Sequence, residues 1–166
     1  MNKQQIDRVI DKAKYLCERS GTRLTEKRRG VLELLLVSNI PLSAYEITDA
    51  YNQIDEKPIL TMSVYRILEF LESENLVHKL SSTNKYVACF HITCGEAHGI
   101  PQFLICGECQ ITREIACGGC KDEKEISISK SVIDELGKLV GKAGYTFINS
   151  QLELRVLCNN CSVSKA

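Results

Sequence analysis

Apolar residues recur every three or four positions through the first half of the chain, and that spacing predicts helices. Ile6, Val9, Ile10, Ala13 and Cys17 share one face of a first helix ending near Gly21. Thr25 stands where an N-cap belongs. Val31, Leu32, Leu35 and Leu36 then supply the buried side of a second helix, stopped by Ser38 and Asn39 ahead of Pro41. Ser43 and Glu46 make a Ser-x-x-Glu capping box, and Ile47, Ala50 and Tyr51 continue as a short third helix. Thr61 is the expected cap of a fourth, with Val64, Ile67, Leu68 and Leu71 as its apolar stripe. At about 100° per residue that stripe turns Met62, Ser63, Tyr65, Arg66, Glu69 and Ser73 outward.

The period then shortens. Residues 76–80 and 86–89 flank a polar turn, Ser81-Ser82-Thr83-Asn84-Lys85, and read as a two-stranded hairpin. Residues 103–105 and 111–114 read as two further strands, 132–140 as a helix closed by the glycine-containing segment 141–144, and 145–157 as a long strand. The expected fold class is α+β: an N-terminal winged helix-turn-helix DNA-binding domain over 1–88, a hinge over 89–101, and a small α/β dimerisation domain over 102–166. A sheet with one helix and so little core needs staples, a partner copy, or both.

In a helix-turn-helix the second helix of the motif enters the major groove, here the one beginning near Thr61. Arg66 can offer two donors to a guanine, and Tyr65 can reach a phosphate or a thymine methyl, with Ser63 on the same outward side. The basic cluster Arg23, Lys27, Arg28 and Arg29 can hold the backbone, and Lys79 and Lys85 on the wing can add phosphate contacts. Outward Arg and Tyr are also ordinary on any helix surface.

Composition sets the frame for this. The chain has 166 residues, 44% hydrophobic and 25% charged, near globular averages, which argues against a disordered or fibrous chain. Formal net charge is zero, so any nucleic-acid contact must come from local clustering. No apolar run approaches the ~18 residues of a membrane span, and residues 1–17 mix charges through their apolar positions unlike a secretory signal. A reducing cytoplasm is expected, where Cys-x-x-Cys pairs are metal or redox sites rather than disulfides.

All three histidines and four of the nine cysteines fall between His78 and Glu114. Two Cys-x-x-Cys pairs from separate parts of a chain can close a tetrahedral four-thiolate zinc site. Cys106 and Cys109 can pair with Cys158 and Cys161 or with Cys117 and Cys120. The first is preferred, because it fastens the last strand to the hairpin and leaves no idle pair at the end of the chain. The remaining donors, His78, Cys89, His98 and Glu114, come from the wing, its exit, the linker and the second domain, and would make a second zinc site across the hinge. A thiolate in that set favours zinc over ferrous or manganous ions. His91 and Cys94, in the same linker, are alternative donors. Cys117-Gly-Gly-Cys120 could serve a thiol redox enzyme, but no thioredoxin-like strand and helix surround it, and no Cys-x-x-Cys follows a proline as in zinc deaminases.

Over 12–161 the chain resembles the ferric uptake regulator (Fur) family, specifically its zinc-sensing branch. The resemblance rests on Arg23-Leu-Thr-Glu-Lys-Arg28, Ser43-Ala-Tyr-Glu46, Ser63-Val-Tyr-Arg66, Leu76-Val-His-Lys79, Ser82-Thr-Asn-Lys-Tyr-Val87 and the two cysteine knuckles. It implies a cytoplasmic homodimer with two zinc sites per chain and no catalysis. Structural zinc would sit on Cys106, Cys109, Cys158 and Cys161, and regulatory zinc on His78, Cys89, His98 and Glu114. Tyr45 and Arg66 match the family's base-contacting residues, so the expected partner is double-stranded, palindromic operator DNA and the expected role is zinc-dependent repression of zinc-uptake genes. An iron or peroxide sensor of the same family is the nearest rival, disfavoured by Cys89.

Overall fold

The structure is a computed structural model, and it describes residues 1–93, 100–115, 130–146 and 151–163. The chain divides into two compact units, Met1–Gly95 and Glu96–Ala166.

The first unit opens with α1 (Lys3–Arg19), whose buried residues are the expected Val9, Ile10, Ala13 and Cys17. Its start carries a second capping box: Gln5 N–H donates to Asn2 Oδ1 and Asn2 N–H to Gln5 Oε1, both at 2.9 Å. Its end is a Schellman turn. Gly21 takes φ +76°, while Thr22 N–H reaches the Cys17 carbonyl and Gly21 N–H that of Glu18. Helices α2 (Glu26–Val37), α3 (Ala44–Ile54) and α4 (Thr61–Ser73) follow. The Ser43–Glu46 capping box is formed at α3. Thr61, the expected cap of α4, is instead its first helical residue; Leu60 holds the extended cap conformation and gives no side-chain bond. Helices α2 and α3 approach so closely at Gly30 that a Cβ there would lie 2.8 Å from the Tyr51 ring.

Asn75, at φ +56°, closes α4 with the same Schellman pattern, Leu76 N–H to the Leu71 carbonyl and Asn75 N–H to that of Glu72. The reversal launches β1 (Val77–Leu80), which pairs antiparallel with β2 (Lys85–Ala88). Leu42 adds a bridge on the other side of β2, exchanging both backbone bonds with Tyr86. The core of this unit gathers the apolar stripes of all four helices with Leu76, Val77, Tyr86 and Ile92. Residues Phe90–Thr93, read from sequence as part of a linker, form a 3₁₀ turn packed on α1.

In the second unit β3 (Gln102–Cys106) is the central strand, with β4 (Thr112–Ile115) antiparallel on one side and β5 (Leu152–Val156) parallel on the other. Helix α5 (Lys130–Lys142) precedes β5, and a five-residue helix α6 (Asn159–Val163) follows it. The last strand is shorter than the expected 145–157: Tyr145 belongs to the Schellman turn at Gly144, and 147–150 lie outside the described residues. Among the described residues no helix is long and apolar enough to cross a membrane.

Candidate metal sites and nucleic-acid interface

The four-thiol site is built by two chain reversals at the same end of the sheet. Gln110, at φ +61°, turns the chain back after β3, with Gln110 N–H on the Cys106 carbonyl and Cys106 N–H on that of Ile111. The parallel register sets Cys106 opposite Val156, and Gly107 N–H bonds the Val156 carbonyl at 2.9 Å. Cys158 therefore emerges beside Cys106, and α6 brings Cys161 back over it, with Cys161 N–H on the Cys158 carbonyl. One sulfur from each of Cys106, Cys109, Cys158 and Cys161 lies within 4.8 Å of every other. Cys109 Sγ and Cys158 Sγ are 3.7 Å apart. Thiolates 2.3 Å from a tetrahedral zinc stand ~3.8 Å from one another, so the donor set and its spacing fit that ion.

The electrostatics are those of a thiolate cradle. Cys106 is held down to about 6, chiefly by the backbone N–H of Cys158, 3.5 Å from its sulfur, and then by those of Cys109 and Glu108. Cys161 is pushed up to about 12, first by its hydrogen bond with Cys158 and then by that with Cys109. Cys106 therefore carries charge more readily than an ordinary thiol, while Cys161 keeps its proton until a cation displaces it.

A second pair of donors sits at the base of the wing. His78 faces Val87 in the hairpin register, and Cys89 N–H extends the ladder by bonding the Leu76 carbonyl at 2.9 Å. Cys89 is thus two residues past the partner of His78, on the same face of the hairpin. Their ligand atoms lie within 4.8 Å of each other, and both residues are buried. In the second unit Glu114 stands on β4 opposite Phe103, half-buried. His98, with Cys94, Cys117 and Cys120, lies outside the described residues. His91 is buried in the 3₁₀ turn, its N–H on Cys89 Sγ at 3.3 Å. Cys17 is a core residue with no exposure, its thiol pushed up by that burial.

The outward face of α4 carries Met62, Ser63 and Arg66, all exposed. Tyr45, at the start of α3 and 65% exposed, meets Tyr65 edge to face at 6.4 Å, so α3 and α4 present one joined aromatic and basic surface. Arg23 is exposed ahead of α2. Arg28 behaves differently from its neighbours in the basic cluster: its guanidinium lies 3.3 Å over the Phe70 ring and donates to the Arg23 carbonyl at 2.6 Å. It clasps the Arg23 loop to α4. Lys85, expected to offer a phosphate contact, bonds Glu46 Oε1 at 2.9 Å and ties the wing to α3. Neither clasp has a local signal, because the partners are far apart in sequence.

The fold of the first unit, three helices and a hairpin behind an added helix, is that of a winged helix-turn-helix regulator. Residues 19–155 match the model of the ferric uptake regulator family. The zinc uptake regulation protein of Escherichia coli (strain K12) is 30% identical over 161 residues, spanning 97% of this chain and 85% of that protein. The solved structure of a zinc uptake regulator complexed with zinc and DNA is similar at 26% identity and TM-score 0.77, covering 96% of this chain and 97% of that one. The crystal structure of holo XcZur is similar at 30% identity and TM-score 0.70, covering 93% and 96%. The chain belongs to the ferric uptake regulator family, whose members regulate transcription and are not enzymes.

Proposed function

We propose that the chain is a cytoplasmic, zinc-responsive transcriptional repressor that binds palindromic operator DNA as a homodimer and shuts off zinc-uptake genes when zinc is plentiful. The observation that supports the zinc reading is the closeness of buried His78 and Cys89, which would give a sensing site there a thiol and so favour zinc over ferrous ion. The E. coli relative is named for zinc uptake regulation, and the similar solved structure holds both zinc and DNA.

Each chain takes two zinc ions in this reading. One is structural, on Cys106, Cys109, Cys158 and Cys161. The other is regulatory, on His78 and Cys89 with His98 and Glu114. Because the second set draws donors from both units, loading it would select one orientation of the DNA-binding unit, and DNA and zinc would each raise the affinity for the other. Tyr45, Ser63, Tyr65 and Arg66 would read bases and neighbouring backbone, Arg23 would hold phosphate, and Arg28 would keep the Arg23 loop in place.

Homodimer formation is supported by the apolar side of α5. Val132, Leu136 and Leu139 are 47%, 37% and 57% exposed, and Leu154 and Val156 on the edge strand β5 are each 37% exposed. Such a surface needs a partner, and a symmetric copy supplies the same chemistry twice.

Selection of duplexes from a random pool, with and without zinc, tests the proposal. A palindromic consensus recovered only with zinc is expected. Recovery of no consensus, or of the same one after chelation, would overturn it.

A further inference from the structure

Two large apolar side chains stand in water at the start of α4. Leu60, in the cap position, is 76% exposed and Met62, the second helical residue, is 67% exposed. Neither position is explained by the fold. A cap prefers Ser, Thr, Asn or Asp, and the buried stripe of α4 is already complete in Val64, Ile67, Leu68 and Leu71.

Helical geometry places Met62 well. At about 100° per residue it points almost directly away from the centre of the buried stripe, with Arg66 about 40° to one side and Glu69 about 20° to the other. Ser63 and Tyr65 fall on the flanks of this face. In a helix-turn-helix the N-terminal residues of the second helix are the ones that reach base edges. Met62 is therefore the outermost side chain at the deepest-entering end. In the major groove the one apolar group on any base edge is the thymine C5-methyl.

We infer that Met62 is a specificity-determining residue that contacts a thymine methyl in each half-site, next to the base pair read by Arg66. The inference rests on the proposed DNA-binding role of α4. Leu60, immediately ahead of the helix, adds exposed apolar surface at the same end of α4. Arg66 and Met62, one turn apart, would then read adjacent positions by opposite chemistries, a charged donor pair for guanine and a thioether for thymine.

A thymine-to-uracil scan tests this, because uracil keeps the base pair and removes only the methyl. The probe is the duplex recovered with zinc-loaded protein from a random pool, with its thymines replaced singly and symmetrically. Binding is read by fluorescence anisotropy for the parent and for Met62→Ala. Met62→Ala is expected to fold, since its side chain is mostly in solvent. At one symmetric pair of thymines, uracil should weaken the parent about 3- to 10-fold. Met62→Ala should bind the unsubstituted duplex as weakly as the parent binds that uracil duplex, and should not respond to uracil there. The inference is overturned if Met62→Ala shows the parent's uracil response at every position, or if Met62→Ala binds all duplexes like the parent, which would leave the apolar pair to a protein partner. Failure of the pool to yield any duplex would overturn the DNA-binding reading itself, and the inference with it.

Discussion

Cys109 Sγ and Cys158 Sγ stand 3.7 Å apart although 49 positions separate them in sequence. The parallel pairing of β3 with β5 produces this closeness, since it ends with Cys106 opposite Val156 and leaves both knuckles at one end of the sheet. Among the described residues of the second unit, those buried are Gln102, Phe103, Ile105, Cys106 and Ile115. A four-thiolate zinc contributes on the order of 10 kcal/mol to such a fold. Cys109→Ser or Cys158→Ser should therefore release the tightly held zinc and unfold the second unit, seen as lost zinc and lost circular dichroism. Retention of one tightly bound zinc by either variant would contradict the assignment.

Removal of Cys89 should separate sensing from folding. Outer-shell partners of a metal typically carry about 10- to 100-fold in affinity, and a lost ligand exceeds that. Cys89→Ser should keep the structural zinc and the dimer while zinc no longer promotes DNA binding, measured by anisotropy across a zinc titration. A variant as zinc-responsive as the parent would remove Cys89 from the site.

Arg66→Ala is expected to cost about 1 to 3 kcal/mol of operator binding and to relax preference at one base position. Equal loss on every sequence would reduce Arg66 to a phosphate contact.

Leu139 is 57% exposed on the apolar side of α5. A carboxylate placed there would be buried unpaired in the dimer, a penalty of about 3 kcal/mol or more. Leu139→Glu should sediment as a folded monomer at concentrations where the parent is a dimer. An unchanged dimer would move the interface elsewhere.

Glu46 links acid stability to the wing. Its carboxyl is held down to about 2, first by the Ser43 backbone N–H at 2.7 Å, with the Ser43 hydroxyl and the Lys85 ammonium adding to it. A folded-state value below the ordinary 4.5 means that the carboxylate stabilises the fold fully above that pH. The contribution is lost as pH falls from there toward 2. Glu46→Gln should lower the urea midpoint at pH 7 and narrow its gap to the parent as pH falls through that window. A gap constant with pH would show that the ion pair and cap contribute no linked stability.

Much of this was legible because it is local. The helical stripes, the Ser43–Glu46 box, the hairpin and the cysteine spacing each report on residues a few positions apart, or on a ligand count that zinc enforces. What escaped the sequence depends on distant partners or on backbone choices that side chains do not dictate. Thr61 is a better capping residue than Leu60, yet Leu60 has the extended cap geometry, φ −86° and ψ 145°, and Thr61 is already helical. The Arg28–Phe70 stack and the Lys85–Glu46 bond give two residues expected at phosphates an intramolecular partner as well, and only the packed helices reveal it. The 3₁₀ turn at Phe90–Thr93 is too short for any period to announce.

In the proposed function, sensing and structural metal occupy separate sites on one chain. Zinc content per chain, measured before and after mild chelation with circular dichroism to follow the fold, tests it most directly. Two zinc ions are expected, of which one leaves under mild chelation while the other stays and the fold survives. A single zinc that departs only as the protein unfolds would contradict it.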